Sequence, residues 1–508
     1  MMRLAALTCS LVSVIGITLG AAESEAGLTA SGTPILCEYG RRWLDPAGDR
    51  KRVLVVGGLD GAADSAHAVR RMYEWFARSR QAFPFRRQFT VSAVPLANPD
   101  GVRLQFPPVG DAYQSMTESH YLWRWIQVQA PDYVLIAGAD PANLGPALQS
   151  EAANITGAIP FERIGESEDG LQQFLDRKSA SIEFSAARRE MRERLVRSPR
   201  QVAEQLAKVY GQELPDAVYI PAVALMARMR LGATGDVEHI VEPYFSGAKD
   251  SLRKATSSHL SGHLVFAWLY EQTKKPRYLE LVKSAANLGF TDAGEMRESM
   301  PMHSEMSDSV FMGCPILASA GRLTGERKYF DMAVRHFEFM KKLDLRADGL
   351  YRHSPLDETA WGRGNGFPAL GLALTLSEMP ASQPGRGMLL AEFQKHMDAL
   401  VKYQTAGMWR QVVDKPGAYR ELTATCMIGF AMQRGIRRGW LDRRKFQPVV
   451  DRAWTAVKAR TSADGKLVDV CTSTGKQRSL QEYLDRTAVL GTDARGGAMV
   501  MLFATELM

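Results

Sequence analysis

The sequence predicts a multidomain protein: a layered α/β domain followed by an all-helical domain of paired helices. Strand-like and helix-like segments alternate over residues 51–165, and helix follows helix from about residue 199 to the end. A segment rich in charges of both signs lies between the two. The length of 508 residues agrees with this division, because single domains usually hold ~100–200 residues.

The first part of the chain carries strand signals that alternate with helix signals. Arg52–Gly58 (RVLVVGG) is a β-branched run ended by glycines, which is typical of a buried parallel strand. Ala63–Arg80 has helical spacing of its apolar residues, and Phe89–Val94 and Tyr133–Ala137 are further strand-like runs. Such alternation predicts an α/β domain over residues 45–165.

Residues 166–200 differ in character, with mixed charges that include Arg188, Arg189 and Glu190. The pattern predicts a helical linker whose charges face solvent, and a partner-binding helix is the alternative.

The second part, residues 201–508, shows amphipathic runs separated by glycine, proline and Asp-Gly turn signals. Paired helices of this kind close into a toroid or stack as a solenoid, and the pattern allows both. The predicted helices are Val202–Tyr210, Ala222–Arg230, Val265–Thr273, Tyr278–Leu288, Phe311–Leu323, Tyr329–Lys342, Ala369–Glu378, Met388–Tyr403, Thr425–Arg434, Phe446–Ala459 and Gly497–Glu506.

The N-terminus has the pattern of a secretory signal peptide over residues 1–22. Arg3 precedes a short apolar run, and Ala21 and Ala22 form a small-residue cleavage site. The run is shorter than the ~20 residues of a membrane span. We therefore expect a secreted or periplasmic protein with no membrane association after cleavage.

Composition narrows the range of partners. The net charge of +7 is a mild excess that suits an anionic substrate, but no basic stripe with interleaved aromatics predicts nucleic-acid binding. Four scattered cysteines follow the signal peptide, which permits one disulfide but gives no zinc-ligand spacing. We expect no metal and no cofactor, and the sequence carries no signal for an oligomeric state.

A polar cluster lies before one of the predicted helices. The segment MHSEMSDSVFM places His303 and Asp308 just ahead of a mostly apolar run. Asp308 either caps the helix or, if it lines a cavity, serves as a general acid or base.

A second polar cluster follows in GLYRHS and WGRGNGF. It contains His353, Trp361, Arg363 and Asn365, and its glycines predict a sharp bend that lets large side chains converge. An aromatic ring, a guanidinium and an acid together suit a site for an acidic sugar. Helix caps and turn chemistry are the alternative interpretation.

These motifs resemble glycoside hydrolase families 88 and 105, the unsaturated glucuronyl and rhamnogalacturonyl hydrolases. The resemblance rests on SDSVFMGCPILASAGRLTGERKYFDMA, DGLYRH and WGRGNGFPALGLAL, and it covers about residues 200–508. It implies an (α/α)6 barrel that releases unsaturated uronic acid from polysaccharide-lyase products. Asp308 then donates a proton to C4 of the C4=C5 double bond, and water adds at C5.

The same resemblance implies roles for other side chains. His303, His353, Trp361 and Arg363 match substrate-contacting positions, and we add Asn365 from the glycine-rich motif. The family often has a second Asp before a Gly in an earlier helix. Here Ser257–Gly262 stands in that place, with His259 as a substitute for the carboxylate. The departure favours a second hypothesis, a non-catalytic carbohydrate-binding or scaffold protein.

The first domain resembles zinc carboxypeptidases of the carboxypeptidase A type, through VLVVGGLDG and VPLANPDG. Asp60 and Ala63 replace the His and Glu that bind zinc in that family. His120 matches a leftover third ligand, and a lone histidine of the surface or core is the alternative that we favour. The resemblance therefore implies a degenerate domain without peptidase activity. The partner that we expect for the whole protein is an unsaturated acidic oligosaccharide.

Overall fold

The structure, a computed structural model, describes residues 22–45, 47–151 and 155–508. The predicted signal peptide, apart from its last residue, lies outside the described residues. A six-stranded sheet comes first, in the order β1-β2-β4-β3-β5-β6. Its strands are β1 Ala22–Leu28, β2 Pro34–Tyr39, β3 Lys51–Val56, β4 Phe89–Val94, β5 Tyr133–Ala137 and β6 Phe161–Ile164.

The four strands from β3 to β6 are parallel neighbours, and the sheet continues beyond β4 with two antiparallel strands, first β2 and then β1 at the edge. The three strands predicted from apolar runs are present. β1 and β2 lie ahead of residue 45, outside the predicted domain boundary. Alternate residues of β3 face opposite sides of the sheet, so Leu54 and Val56 pack into one core and Val53 and Val55 into another.

Helices cover both faces of this sheet. They are α1 Ala63–Arg78, α2 Phe83–Gln88, α3 Thr117–Gln129 and α4 Leu144–Gln149.

The positions compared with zinc ligands make other contacts. His120 lies on α3 with Nε2 3.3 Å from the carbonyl of Val109, and Asp60 accepts a hydrogen bond from the N–H of Ala62. Among the described residues, no three His, Cys, Asp or Glu side chains are grouped to hold a metal ion.

The predicted linker is helical, and part of its surface is buried. It contains α5 Gly170–Lys178 and α6 Ala186–Val196. Met191 is buried, and Arg194 donates to the carbonyls of Ile155 and Ala459. α6 exposes Arg189 and Glu193 on one face, whereas its Arg188 and Arg194 are buried and donate to backbone carbonyls.

The remaining chain forms two concentric rings of helices. The inner ring consists of α8 Tyr219–Arg230, α10 Ser257–Gly262 with α11 Leu264–Thr273, α13 Ser309–Thr324, α15 Gly362–Glu378, α17 Leu422–Arg437 and α20 Ala494–Glu506. The outer ring consists of α7 Pro199–Ala207, α9 Thr234–Val241, α12 Pro276–Asn287, α14 Arg327–Asp344, α16 Arg386–Val401 and α18 Arg443–Ala459.

Each inner helix contacts the next, and α20 contacts α8, so the ring is closed. Closure selects the toroid over the solenoid. Inner helices pack on all sides and outer helices on one side, which explains why α15 is buried for most of its length. The glycine-rich motif was predicted as a bend, but Gly362 opens α15. The absence of a Cβ at Gly362 lets the helix start approach the carbonyl of Arg410.

A small antiparallel hairpin lies between α18 and α20. Its strands are β7 Leu467–Cys471 and β8 Ala488–Gly491, and α19 Leu480–Leu484 lies between them. This hairpin was not predicted, and it contacts both the ring and the α/β domain.

Two further observations concern the described residues as a set. None of their helices combines the length and the apolar character needed to cross a bilayer. Cys37, Cys314, Cys426 and Cys471 are buried, and no disulfide joins any two of these four residues.

Candidate active site

The predicted site residues meet where inner helices begin. Asp308 directly precedes α13, and Trp361 directly precedes α15. The loop that carries His353 joins them, since the N–H of Ser307 donates to the carbonyl of His353 (3.0 Å). Two motifs more than forty residues apart therefore form one site.

Asp308 does not cap α13. Its side chain makes no capping hydrogen bond and is 13 % exposed. The Oδ1 atom lies 3.4 Å from Nε2 of the fully buried His353. The carboxylate is therefore free for chemistry and faces an imidazole.

Tyr483 orients that imidazole. Its hydroxyl accepts a hydrogen bond from the N–H of Gln477 (3.3 Å) and lies 2.9 Å from Nδ1 of His353. A tyrosine hydroxyl has one proton to donate, which is directed at Nδ1. We therefore assign the ring proton to Nε2, where it faces Asp308.

Trp361 and Arg363 stand beside this pair. The Trp361 ring lies 4.3 Å from the His353 ring, and the Arg363 guanidinium lies 4.6 Å from the Trp361 ring. Arg363 is buried and donates to the carbonyls of Cys471 and Thr472 (2.8 Å each). Its N–H donors therefore fix the backbone at the end of β7. Its positive charge acts on Asp308 through space, without direct contact.

Asn365 was expected to contact substrate, but its amide is already saturated. The side chain accepts from the N–H of Tyr351 and donates to the carbonyls of Tyr351 and Trp361. Asn365 is fully buried. This geometry favours a role in holding the two motif segments together.

His303 lies at the more open side of the cluster. Its Nδ1 accepts from the N–H of Glu305, its ring packs on Phe339, and partial burial lowers its pKa. Lys476, which the sequence analysis did not consider, pairs with Glu305 at 3.1 Å and is one-third exposed. It is an accessible cation beside the motif of Asp308.

His259 engages a carboxylate that local sequence did not reveal. Its Nε2 lies 3.0 Å from Oδ1 of Asp216, and its Nδ1 accepts from the N–H of Thr256. Asp216 is far away in sequence and half exposed. The position that lacked a carboxylate in sequence thus gains one through this contact.

A second acid, Asp344, was also missed. It ends α14, is fully buried, and neither carboxyl oxygen has a hydrogen-bond partner among the described residues. Burial raises the pKa of Asp344 to about 8; Arg352 and Lys476 oppose the rise, and Asp308 and Glu305 add to it. The N–H of Arg352 donates to the Asp344 carbonyl (3.0 Å), which ties the end of α14 to the loop of His353.

Several buried polar atoms of the site share one property. Within the described part of the chain, Oδ1 of Asp308, Nε2 of His353 and Nε1 of Trp361 have no hydrogen-bond partner. Buried polar groups are normally satisfied, because each unsatisfied one costs ~1–3 kcal/mol. A carboxyl group, an imidazole and an indole that converge without hydrogen-bond partners are typical of a site for a polar ligand.

Comparison with known proteins agrees with this geometry. Residues 233–508 match the model of Glycosyl Hydrolase Family 88. An unsaturated 3S-rhamnoglycuronyl hydrolase of Formosa agariphila is 28% identical over 179 residues, which are 32% of this chain and 48% of that protein. The unsaturated rhamnogalacturonyl hydrolase YesR of Bacillus subtilis is 22% identical over 242 residues, 44% of this chain and 68% of that protein.

The chain spans about half the length of the first two curated relatives that it matches. Solved structures share the fold. A possible member of the GH105 family from Salmonella enterica has a TM-score of 0.51 and 21% identity, covering 63% of this chain and 93% of its own. A possible GH105 member from Klebsiella pneumoniae has a TM-score of 0.52, with the same identity and coverage.

These neighbours are (α/α)6 barrels, which is the architecture of the helical rings described above. The family model covers more than half of the chain and includes the segments of Asp308, His353, Trp361 and Arg363. The chain belongs to Glycosyl Hydrolase Family 88.

Proposed function

We propose that this protein releases unsaturated uronic acid from the ends of acidic oligosaccharides left by polysaccharide lyases. The observation that carries the proposal is the free Asp308 carboxyl beside His353, at the meeting point of two family motifs. The names of the curated relatives, which are unsaturated rhamnoglycuronyl and rhamnogalacturonyl hydrolases, support the same substrate class.

In the proposed reaction Asp308 donates its proton to C4 of the C4=C5 double bond. Positive charge then develops at C5 and the ring oxygen, and a water molecule adds at C5 and returns a proton to Asp308. The resulting hemiketal opens and releases the neighbouring sugar. His353, held by Tyr483, places its Nε2 atom 3.4 Å from the Asp308 carboxyl, on which its electrostatic field acts.

The substrate carboxylate needs a cation, and the two candidates differ in access. Arg363 is buried and already bonded to backbone carbonyls, so it contributes charge rather than contact. Lys476 is partly exposed, and its charge acts on both His303 and Asp344. We assign the carboxylate contact to Lys476, with His303 at the same side of the site.

The proposal is tested by ultraviolet absorbance, because unsaturated uronides absorb and their hydration products do not. With unsaturated oligosaccharides from several lyases as substrates, the wild-type protein should abolish the absorbance. Asp308→Asn should lower the rate by ~10²-fold or more, since removing a general acid typically costs this much. Asp398→Asn, which removes an exposed carboxylate on α16, is the control and should keep full activity.

A protein that binds these oligosaccharides without any loss of absorbance would be the non-catalytic carbohydrate-binding protein of the second hypothesis. Equal activity of the Asp308→Asn variant and the wild type would refute the assigned role of Asp308.

We also propose that residues 1–22 are a signal peptide and that the mature protein is secreted or periplasmic. The N-terminal charge, apolar run and small-residue pair support this. N-terminal sequencing of the protein from the culture medium or periplasm tests it. Retention of Met1 would contradict it.

For the first domain we propose descent from a carboxypeptidase-like fold that has lost its zinc site. The parallel core of the sheet and the replacements at Asp60 and Ala63 support the idea. Metal analysis of the purified protein should find no stoichiometric zinc.

A further inference from the structure

A cavity of about 530 Å³ lies between the α/β domain and the barrel, away from Asp308. One wall comes from the α/β domain, with Trp43, Arg52 and Gln129. The other comes from the loop before α17 and the end of α18, with Arg420 and Arg460. The volume is that of a typical small-molecule site, which is ~300–1,000 Å³.

The floor of this cavity is cationic and buried. Arg52 is 1 % exposed and Arg460 is 7 % exposed. In Arg52 the Nε and Nη1 atoms are buried without a hydrogen-bond partner among the described residues, and the same holds for Nε of Arg420 and of Arg460. Within that part of the chain, none of the three arginines forms an ion pair with a carboxylate.

Unpaired guanidinium groups are rare in protein interiors, because a buried charge without a partner is costly. This cost lowers the pKa of the buried guanidinium groups. Burial, reinforced by the neighbouring Arg188, lowers the pKa of Arg52 to about 9. Burial likewise lowers the pKa of Arg460 to about 10.

Carboxylates are present nearby but are engaged elsewhere or lie at the rim. Asp132 accepts from the backbone N–H groups of Arg52 and Ser185, and Asp469 binds Arg124 and Tyr113. Asp45 and Asp451, which also line the cavity, are exposed. Asp132 and Asp45 act on Arg52, and Asp469 acts on Arg460, only through space, because none of these carboxylates forms an ion pair with the arginines of the floor.

We propose that this interdomain cavity is a second ligand site, which binds the oxyanion group of a small molecule such as an acidic sugar. Arginine is suited to this task, because its planar guanidinium binds carboxylate or sulfate through two parallel hydrogen bonds. Three of them line this cavity, and each has at least one guanidinium nitrogen without a hydrogen-bond partner among the described residues. The cavity exceeds the size of an inorganic anion, so a saccharide with one carboxylate or sulfate group fits it.

Binding to the full-length protein is measured by isothermal titration calorimetry with three probes: galacturonate, inorganic sulfate and, as an uncharged control, galactose. The variant is Arg420→Gln with Arg460→Gln, and the matched control is Arg444→Gln, which removes an exposed arginine on α18. Asp308→Asn separates this site from the catalytic one.

We expect saturable binding of galacturonate that persists in Asp308→Asn and Arg444→Gln and weakens at least tenfold in the double variant. Sulfate binding with the same variant dependence assigns the site to oxyanions in general, and galacturonate binding alone assigns it to acidic sugars. The proposal is overturned if neither anion binds saturably, or if the double variant binds both as tightly as the wild type.

Thermal unfolding of the wild type and the double variant shows whether the variant is folded. The double variant should unfold at the wild-type temperature or above in chloride, because it removes unpaired buried charge. Sulfate at equal ionic strength should raise the unfolding temperature of the wild type but not that of the variant. If the double variant does not fold, Arg420→Gln alone is used, since that side chain is only half buried.

Discussion

The chemistry of this protein depends on how a few ionisable side chains are buried. Asp308 keeps its carboxyl unbonded and partly accessible, whereas Asp344, one helix end away, is sealed from water with no partner. The two acids differ because Asp308 begins an inner helix and Asp344 ends an outer one. The C-terminus of a helix carries partial negative charge, which repels a carboxylate. This repulsion also favours the neutral form of Asp344.

Asp344 should make stability pH-dependent in a defined direction. Its pKa of about 8 in the folded protein lies above the unfolded value near 3.8, so the folded state holds an extra proton between these limits. Stability from this group therefore falls as pH rises through that window and levels off above pH 8.

Between pH 5 and pH 8 the wild type should lose up to ~4 kcal/mol of stability through this group, since each pH unit in that window is worth about 1.4 kcal/mol. In Asp344→Asn this loss should be absent. Urea denaturation of both proteins across this range measures it. Parallel pH profiles for the variant and the wild type would show that Asp344 ionises normally.

At the scale of the element, the inner helices depend on close contact. Gly371 of α15 faces α13, and a Cβ there would lie 2.7 Å from Cα of Phe311. A glycine in a helix normally lowers stability by ~0.5–1 kcal/mol relative to alanine, so its presence here reflects packing rather than helix formation.

We expect Gly371→Ala to destabilise the protein by ~1–3 kcal/mol, because the added methyl forces two buried backbones apart. The matched control is Gly387→Ala in α16, where a Cβ meets no atom within 4 Å. The control should unfold at the wild-type urea concentration or higher. Equal losses in both variants would mean that helix packing at Gly371 is not the cause.

Whether an element could be predicted from the sequence depended on whether its own residues carry a local pattern. Outer helices such as α14 are amphipathic, and inner helices such as α13 are continuous apolar runs, so both were predicted from local pattern. β1, β2 and the β7–β8 hairpin were missed, since their residues acquire strand structure only by pairing with neighbours. α3 was missed because it is buried along nearly its whole length and mixes polar with aromatic residues.

For the whole molecule, the α/β domain braces the active site. Arg124 of α3 donates to Asp469 (2.7 Å) and to the carbonyl of Ala488 (3.0 Å), which fixes both strands of the β7–β8 hairpin. The segment between those strands carries Tyr483, which orients His353. Trp361 and Tyr483 belong to the same apolar core as the sheet residues Leu54 and Val56. The two domains are therefore continuous at the site.

Arg124→Met should cost ~3–5 kcal/mol, because it leaves Asp469 charged and buried without its cation. It should also lower the turnover of the protein that remains folded, since the hairpin no longer holds Tyr483. Arg200→Met, which breaks an exposed pair with Glu204, should cost at most ~0.5 kcal/mol and leave turnover unchanged. Denaturation curves and the absorbance assay measure both effects. An Arg124 variant as stable and active as the control would exclude a bracing role.

Local pattern in the chain was sufficient for the order of domains, for most barrel helices, and for the segments that hold Asp308, His353, Trp361 and Arg363. These features depend on hydrophobic periodicity and short motifs, which act over a few residues. Ring closure, the contact of His259 with Asp216, the burial of Asp344 and the unpaired arginines between the domains were decided only by the tertiary structure. Each of them joins residues far apart in sequence, and no local pattern records which distant side chains the folded chain will bring together.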